Sequence, residues 1–121
     1  MSLLIKSAEL AGPPEGRRFV GAEHGGVPVS LFLVDAGPGS GPELHRHLYP
    51  EVFVLAAGHA EFEVDGAHLA AGAGDIVIAP AGAPHRFTSA GTGPLRLTAI
   101  HAASAMDTDW LGSASGTRPH R

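Results

Sequence analysis

An all-β sandwich or barrel is the fold class this sequence predicts, and three observations lead to it. Short alternating apolar runs recur along the chain, broken at close intervals by clusters drawn from its 17 glycines and 10 prolines. No stretch keeps apolar residues at helical spacing. At 121 residues the chain is long enough for one domain with one core, and with no cysteine that core must hold without disulfides.

The elements follow in order. Residues 2–6 are expected as an edge strand, 11–16 as a Gly/Pro loop, 17–20 as a short strand and 23–26 as a turn. Residues 27–35 form the first well-defined strand. Val29, Leu31 and Leu33 lie on one face and Ser30, Phe32 and Val34 on the other. A strand apolar on both faces is expected to be buried on both, and in a homodimer the second face would be the partner's side. Residues 36–42 are a loop. In 51–57, Glu51, Phe53 and Leu55 share one face and Val52 and Val54 the other. In 59–65, Phe62 and Val64 point inward and Glu61, Glu63 and Asp65 outward. Asp65-Gly66 is a hairpin signal, since a type I′ turn needs positive φ at both central positions.

Residues 68–70 return as a short strand, 71–74 turn, and 75–79 read as a buried strand. Residues 80–84 form a tight loop whose Pro84 favours extended backbone before it. His85 and Phe87 share a face of strand 85–89, and 95–102 is the last long strand. Residues 106–111 are expected as one helical turn packing Trp110 and Leu111 onto the barrel. Residues 112–121, rich in Gly and Ser, are expected to be disordered.

A formal charge of −4 and no basic cluster exclude a nucleic-acid surface. No apolar run approaches the roughly 20 residues that span a bilayer. The N-terminus lacks the charged and apolar regions of a signal peptide. The expectation is a soluble cytoplasmic protein with neither nucleic-acid nor membrane partners.

The chemistry concentrates in residues 39–58. His45 and His47 stand two apart, so in extended backbone they project to one face. Glu51 follows a bend at Pro50 and can swing back beside them. Two imidazoles and a carboxylate suit a divalent transition metal, with His85 as the candidate fourth ligand. Two plainer readings stand beside this one: polar residues on a solvated sheet edge, or a metal that stabilises the fold without doing chemistry.

The spacing also carries a family resemblance. Gly39, five residues, His45-x-His47, three residues, Glu51, six residues, Gly58 resembles the first cupin motif. Gly74, five residues, Pro80-x-Gly82, two residues, His85 resembles the second, which usually closes with Asn where this chain has Ser89. Serine donates and accepts but reaches less far. Ile100-His101-Ala102 followed by Trp110-Leu111 is similar to small single-domain cupins. The resemblance implies a double-stranded β-helix, or jelly roll, over residues 1–111, with motifs at 39–58 and 74–89. It implies one divalent ion (Fe, Mn, Ni, Zn or Cu) on His45, His47, Glu51 and His85, and a homodimer.

Four protein ligands leave about two positions of an octahedral ion open, as a catalytic site requires. Phe53, Leu55, Phe62 and Phe87 would keep the pocket dry. The expected function is a metal-dependent, dioxygenase-like enzyme on a small enolic, phenolic or carboxylate substrate, with isomerisation or decarboxylation as variants. The alternative is a non-catalytic ligand-binding or metal-stabilised module. His101 and Tyr49 are the candidate catalytic residues for moving a proton, against ordinary packing roles. Arg46 and Arg86 have the opposite parity and should face out, and His24, His59, His68 and His120 should lie on the surface.

Overall fold

The computed structural model describes residues 2–112. Among the described residues, ten strands form two antiparallel five-stranded sheets. The first runs in the order β1 (Gly16–Phe19), β2 (Ser30–Ala36), β9 (Leu95–His101), β4 (Glu51–Ala57), β7 (Ile76–Ala79). The second runs β10 (Asp109–Trp110), β3 (His45–Arg46), β8 (His85–Ala90), β5 (His59–Val64), β6 (Ala67–Gly72). Consecutive strands therefore repeatedly cross between sheets, and the inner faces close on one core. Among the described residues, no helix is long and apolar enough to cross a membrane.

Strict alternation fills that core. Phe53 and Leu55 of β4 face Phe62 and Val64 of β5, Phe87 of β8, and Leu95, Leu97 and Ala99 of β9. Phe53 and Phe62 meet edge to face at 5.0 Å, and Phe87 closes the triangle at 5.9 and 5.5 Å. Asp65 (φ 50) and Gly66 (φ 84) make the expected hairpin turn. Gly41 is needed for a close approach: a Cβ there would fall 1.9 Å from the Phe87 carbonyl oxygen. The loop before the metal-site strand thereby lies directly on β8.

Four expectations need correction. Residues 2–6 form no strand; a 3₁₀ turn at Ser7–Glu9 follows them. Residues 106–111 hold no helical turn. Asp109 and Trp110 pair with Arg46 and His45 instead, and Arg46 Nε meets Asp109 Oδ2 at 3.0 Å. A single isolated turn of helix is marginal, whereas an open sheet edge offers ladder bonds at once. Finally, β7 is buried on one face only. Val77 and Ala79 point inward, while Ile76 and Ile78 are 63% and 61% exposed. β6 also runs further than expected, to Gly72.

The outer face of the first sheet carries two cross-strand rows. Leu31, Ile100, Val52 and Ile78 are register neighbours, as are Leu33, Thr98, Val54 and Ile76. The second apolar face of β2, half-buried here, belongs to these rows.

Truncating the aromatic triangle should be costly, because the three rings hold the sheets together below the histidine cluster. Phe62→Ala is expected to lower unfolding free energy by about 3–5 kcal/mol in urea titration. A loss below about 1 kcal/mol would place the main core elsewhere.

Candidate metal centre

Backbone register assembles the site. His45 of β3 stands opposite His85 of β8 in one sheet, and Glu51 of β4 stands opposite His101 of β9 in the other. His47 follows β3 on the same side as His45. All five side chains are buried, with Glu51 3% exposed. The expected ligands His45, His47, Glu51 and His85 do converge, with one ligand atom from each inside 4.8 Å of the others.

The outer nitrogens fix the imidazole tautomers. Nδ1 of His45, His47 and His85 lies 2.7, 2.8 and 2.9 Å from the carbonyl oxygens of Glu43, Asp107 and Ala83. A carbonyl only accepts, so each Nδ1 donates and the neutral ring turns its Nε2 lone pair inward. Those lone pairs meet a carboxylate. His47 Nε2 and His85 Nε2 lie 3.0 and 3.1 Å from Glu51 Oε1. Acceptor against acceptor is repulsive unless a proton or a cation lies between. His47 Nε2 is buried without a hydrogen-bond partner.

This arrangement fits a metal. Neighbouring donors on an octahedral ion with bonds of about 2.1 Å stand about 3.0 Å apart, which is the spacing found around Glu51. The rings are splayed rather than stacked, with interplanar angles of 72°, 60° and 49° among the three pairs.

Electrostatics agree. Burial is the main cause that brings His45 down to about 4, partly offset by its bond to the Glu43 carbonyl, so it is neutral and ready to ligate near pH 7. Burial alone would raise Glu51. Donation from the facing nitrogens of His101, His47 and His85, wherever a proton stands on them, outweighs burial and holds the carboxyl well below the ordinary range.

His101 and Tyr49, the two candidate proton carriers, adjoin this cluster. His101 Nε2 is 3.3 Å from Glu51 Oε2, and its Nδ1 is 2.8 Å from the Tyr49 hydroxyl. That hydroxyl accepts from the Asp107 N–H at 3.2 Å, and the Tyr49 ring stacks on His47 at 4.9 Å. Burial pushes Tyr49 up to about 12. Tyr49 shares the parity of His45 and His47, whereas its long-range partner Asp107 has no signal in the sequence.

A cavity of about 440 Å³ opens onto the cluster, reaching His45, His47, Glu51 and His101. Its walls include Phe32, Val34, Ala99, Phe87 and Trp110. Of the apolar residues expected to dry the pocket, Phe87 lines it, Phe53 backs His85 at 5.8 Å, and Phe62 and Leu55 belong to the core behind. Sequence reasoning missed Trp110, which tilts against His45 at 5.0 Å. A helical reading of 106–111 hid the parity that would have shown it.

Arg46 and Arg86 face outward in ion pairs with Asp109 and Glu63. His59 and His68 are exposed, whereas His24 is half-buried and stacks on Phe19 at 4.6 Å. His120 and the tail from 113 lie outside the described residues. Ser89 uses its backbone to hold the first-motif loop, through Ser40 O at 2.8 Å and Gly39 N at 2.9 Å. Its buried hydroxyl has no partner, so the departure from Asn leaves the ligands untouched.

Comparison with known proteins agrees with this fold. Residues 32–101 match the family model described as the cupin domain. No curated protein matches the chain in sequence. Among solved structures, oxalate decarboxylase from Bacillus subtilis superposes with a TM-score of 0.77 at 18% identity, covering 88% of this chain and 31% of that one. The chain thus spans about a third of that enzyme. A second structure of the same enzyme, whose description names Mn(II) centres, gives 0.72 at 23% identity over 85% and 30%. An uncharacterised double-stranded β-helix protein from Klebsiella pneumoniae gives 0.71 at 22% identity, covering 93% of this chain and 100% of that one.

In chelator, stability should fall with acid. His45 titrates near 4 in the fold against its ordinary 6.5. Between those values the unfolded chain takes a proton that the fold refuses, so stability is lost as pH drops from 6.5 towards 4, by up to about 3 kcal/mol. Glu51, depressed in the fold, adds loss below its ordinary 4.5. Urea midpoints at a series of pH values test this, and a flat profile would contradict it.

Proposed function

This chain belongs to the cupin family, and we propose that within it the chain is a metal-dependent enzyme acting on a small organic molecule through an anionic oxygen. The observation that carries the reading is the inward ring of Nε2 lone pairs around Glu51, reached by a cavity. His45, His47, Glu51 and His85 are the proposed holders of one divalent ion. Such an ion supplies Lewis acidity and, where redox-active, a path to dioxygen chemistry on an enol or phenol. Manganese is the first ion to try, since it is named for the oxalate decarboxylase, with iron, nickel, copper and zinc behind it.

The remaining chemistry falls to this chain's own residues. Tyr49 keeps its proton and donates to His101 Nδ1. The proton of neutral His101 then sits on Nε2, beside Glu51 Oε2. Because His101 lines the cavity, it is the proposed proton donor and acceptor for substrate, with Tyr49 fixing its tautomer. Apolar walls exclude water and strengthen charge interactions at the cluster. Dioxygenase-like oxidation is the first reaction to test, then decarboxylation and isomerisation. The lack of cysteine fits a reducing cytosol.

A second reading has support of its own. Away from the cluster the walls are chiefly apolar, which suits a module that captures a ligand without transforming it. Elemental analysis of untagged protein purified without chelator comes first. Near one equivalent of manganese, iron, nickel or copper is expected, and its loss in a His45→Ala/His47→Ala variant. Oxygen uptake and product analysis with enolic and phenolic acids then separate the two readings: turnover lowered by Tyr49→Phe and His101→Gln supports the enzyme, and binding without turnover supports the module. No metal on isolation and none taken up on addition would end both.

We also propose a homodimer through the outer rows that include Val52, Val54, Ile76 and Ile78, an apolar surface that a two-fold axis can pair with itself. Sedimentation at micromolar concentration should give a dimer, and Ile76→Lys/Ile78→Lys a monomer. A monomeric parent protein would refute this interface.

A further inference from the structure

Among the described residues, the cavity walls carry no lysine or arginine. Six of the eight Lys and Arg residues are described, and none of the six lines the cavity. Arg46, Arg86 and Arg96 are engaged on the surface with Asp109, Glu63 and Asp35, and Arg17 Nη1 is 3.4 Å from the Leu10 carbonyl oxygen. Outside the histidine cluster, the one charged side chain lining the cavity among the described residues is Glu15, an exposed carboxylate. The cavity therefore has one polar pole, at Glu51 and the imidazoles, a chiefly apolar body with the hydroxyls of Ser40 and Thr108, and a negative charge at Glu15, whose neighbour Gly16 pairs with Val34, away from the Ser30 end of β2 that pairs with His101.

We propose that this cavity selects molecules with a single anionic oxygen head and an apolar aryl or alkyl body, and discriminates against those bearing a second anionic group. The inference rests on the metal reading above and narrows its substrate class. A head at the centre would put the body against Trp110, because that ring lies beside His45, and against Phe87, Phe32 and Val34. At about 440 Å³ the space suits a six-membered ring or a short chain with its neighbours desolvated. A second carboxylate on that body would lose water without gaining a cation, and would approach Glu15. Recognition of a dianion calls for an arginine fork at its far end, and the described walls hold none.

Matched probes isolate that second charge. Hexanoate and adipate share one head and chain length but differ in a terminal methyl or carboxylate, and phenylacetate supplies the aryl body. Each is titrated into full-length protein already shown to hold one equivalent of Zn²⁺, following fluorescence of Trp110, the single tryptophan. Visible absorption of the Co²⁺-loaded protein reports ligation of the head. Hexanoate and phenylacetate are expected to bind at least about tenfold more tightly than adipate. Glu15→Lys, a change at an exposed side chain, should narrow that gap by about fivefold or more.

Adipate binding as tightly as hexanoate, with metal retained, would overturn the inference and leave the metal reading intact. Absence of binding by hexanoate and phenylacetate at millimolar concentration, with metal retained, would overturn it as well. Protein that holds no Zn²⁺ or Co²⁺ would defeat the metal reading, and this inference with it.

Discussion

A carboxylate buried among inward imidazole lone pairs is the constraint on which the rest of the molecule turns. Glu51 is 3% exposed, and three imidazole nitrogens stand within 3.3 Å of its two oxygens. Left as neutral rings against an anion, that arrangement is costly, because every group has given up water and the lone pairs of His47 and His85 face Glu51 Oε1. Positive charge between them removes the conflict, whether as protons on the rings or as an ion. The outer nitrogens bias the choice. Each of His45, His47 and His85 already spends its Nδ1 proton on a backbone carbonyl, so a proton on Nε2 must make an imidazolium, and burial holds His45 neutral. The scaffold is thus arranged to prefer a cation that brings its own charge.

The sheets make that arrangement stiff. The pairs His45 with His85 and Glu51 with His101 are register partners, so their positions are set by ladder hydrogen bonds rather than by loops. Below them the Phe53, Phe62 and Phe87 triangle joins the sheets, with Phe53 against His85. Above them, β10 places Trp110 over His45, and the adjoining Asp107 carbonyl anchors His47. Core packing and the candidate site are therefore one structure with two chemistries, apolar at one end and built of imidazoles and a carboxylate at the other.

Much of this was legible because both signals are local. Period-two alternation placed Glu51, Phe53 and Leu55 on one inward face, and the spacing of His45, His47, Glu51 and His85 named a ligand set that the fold does bring together. Where the reading failed, the deciding partner lay far away in sequence. Residues 106–111 look compatible with a turn of helix until the free edge of β3 is known. Ile76 and Ile78 look like core until β7 is seen at a sheet edge with its outer face bare. His101 gave only a parity. Its contact with Tyr49, 52 residues away in sequence, follows from the β4–β9 register, which no local pattern encodes.

Likeness to oxalate decarboxylase at 18% identity speaks to the fold, and a fold of this kind hosts unrelated chemistries. What differs between such proteins is the wall facing the ligands. Here β2 contributes Phe32 and Val34, β9 contributes Ala99, and β10 contributes Trp110, so the surface that would touch the body of a bound molecule is apolar. The described arginines with ion pairs sit on outer faces, where alternation sends residues next to inward ones: Arg46 between His45 and His47, Arg86 between His85 and Phe87, and Arg96 between Leu95 and Leu97. Shifting one of these strands by a single residue would bring a cation inward, but it would also turn out a ligand or a core side chain. The register that builds the histidine cluster is thus the same one that keeps these three arginines out of the cavity.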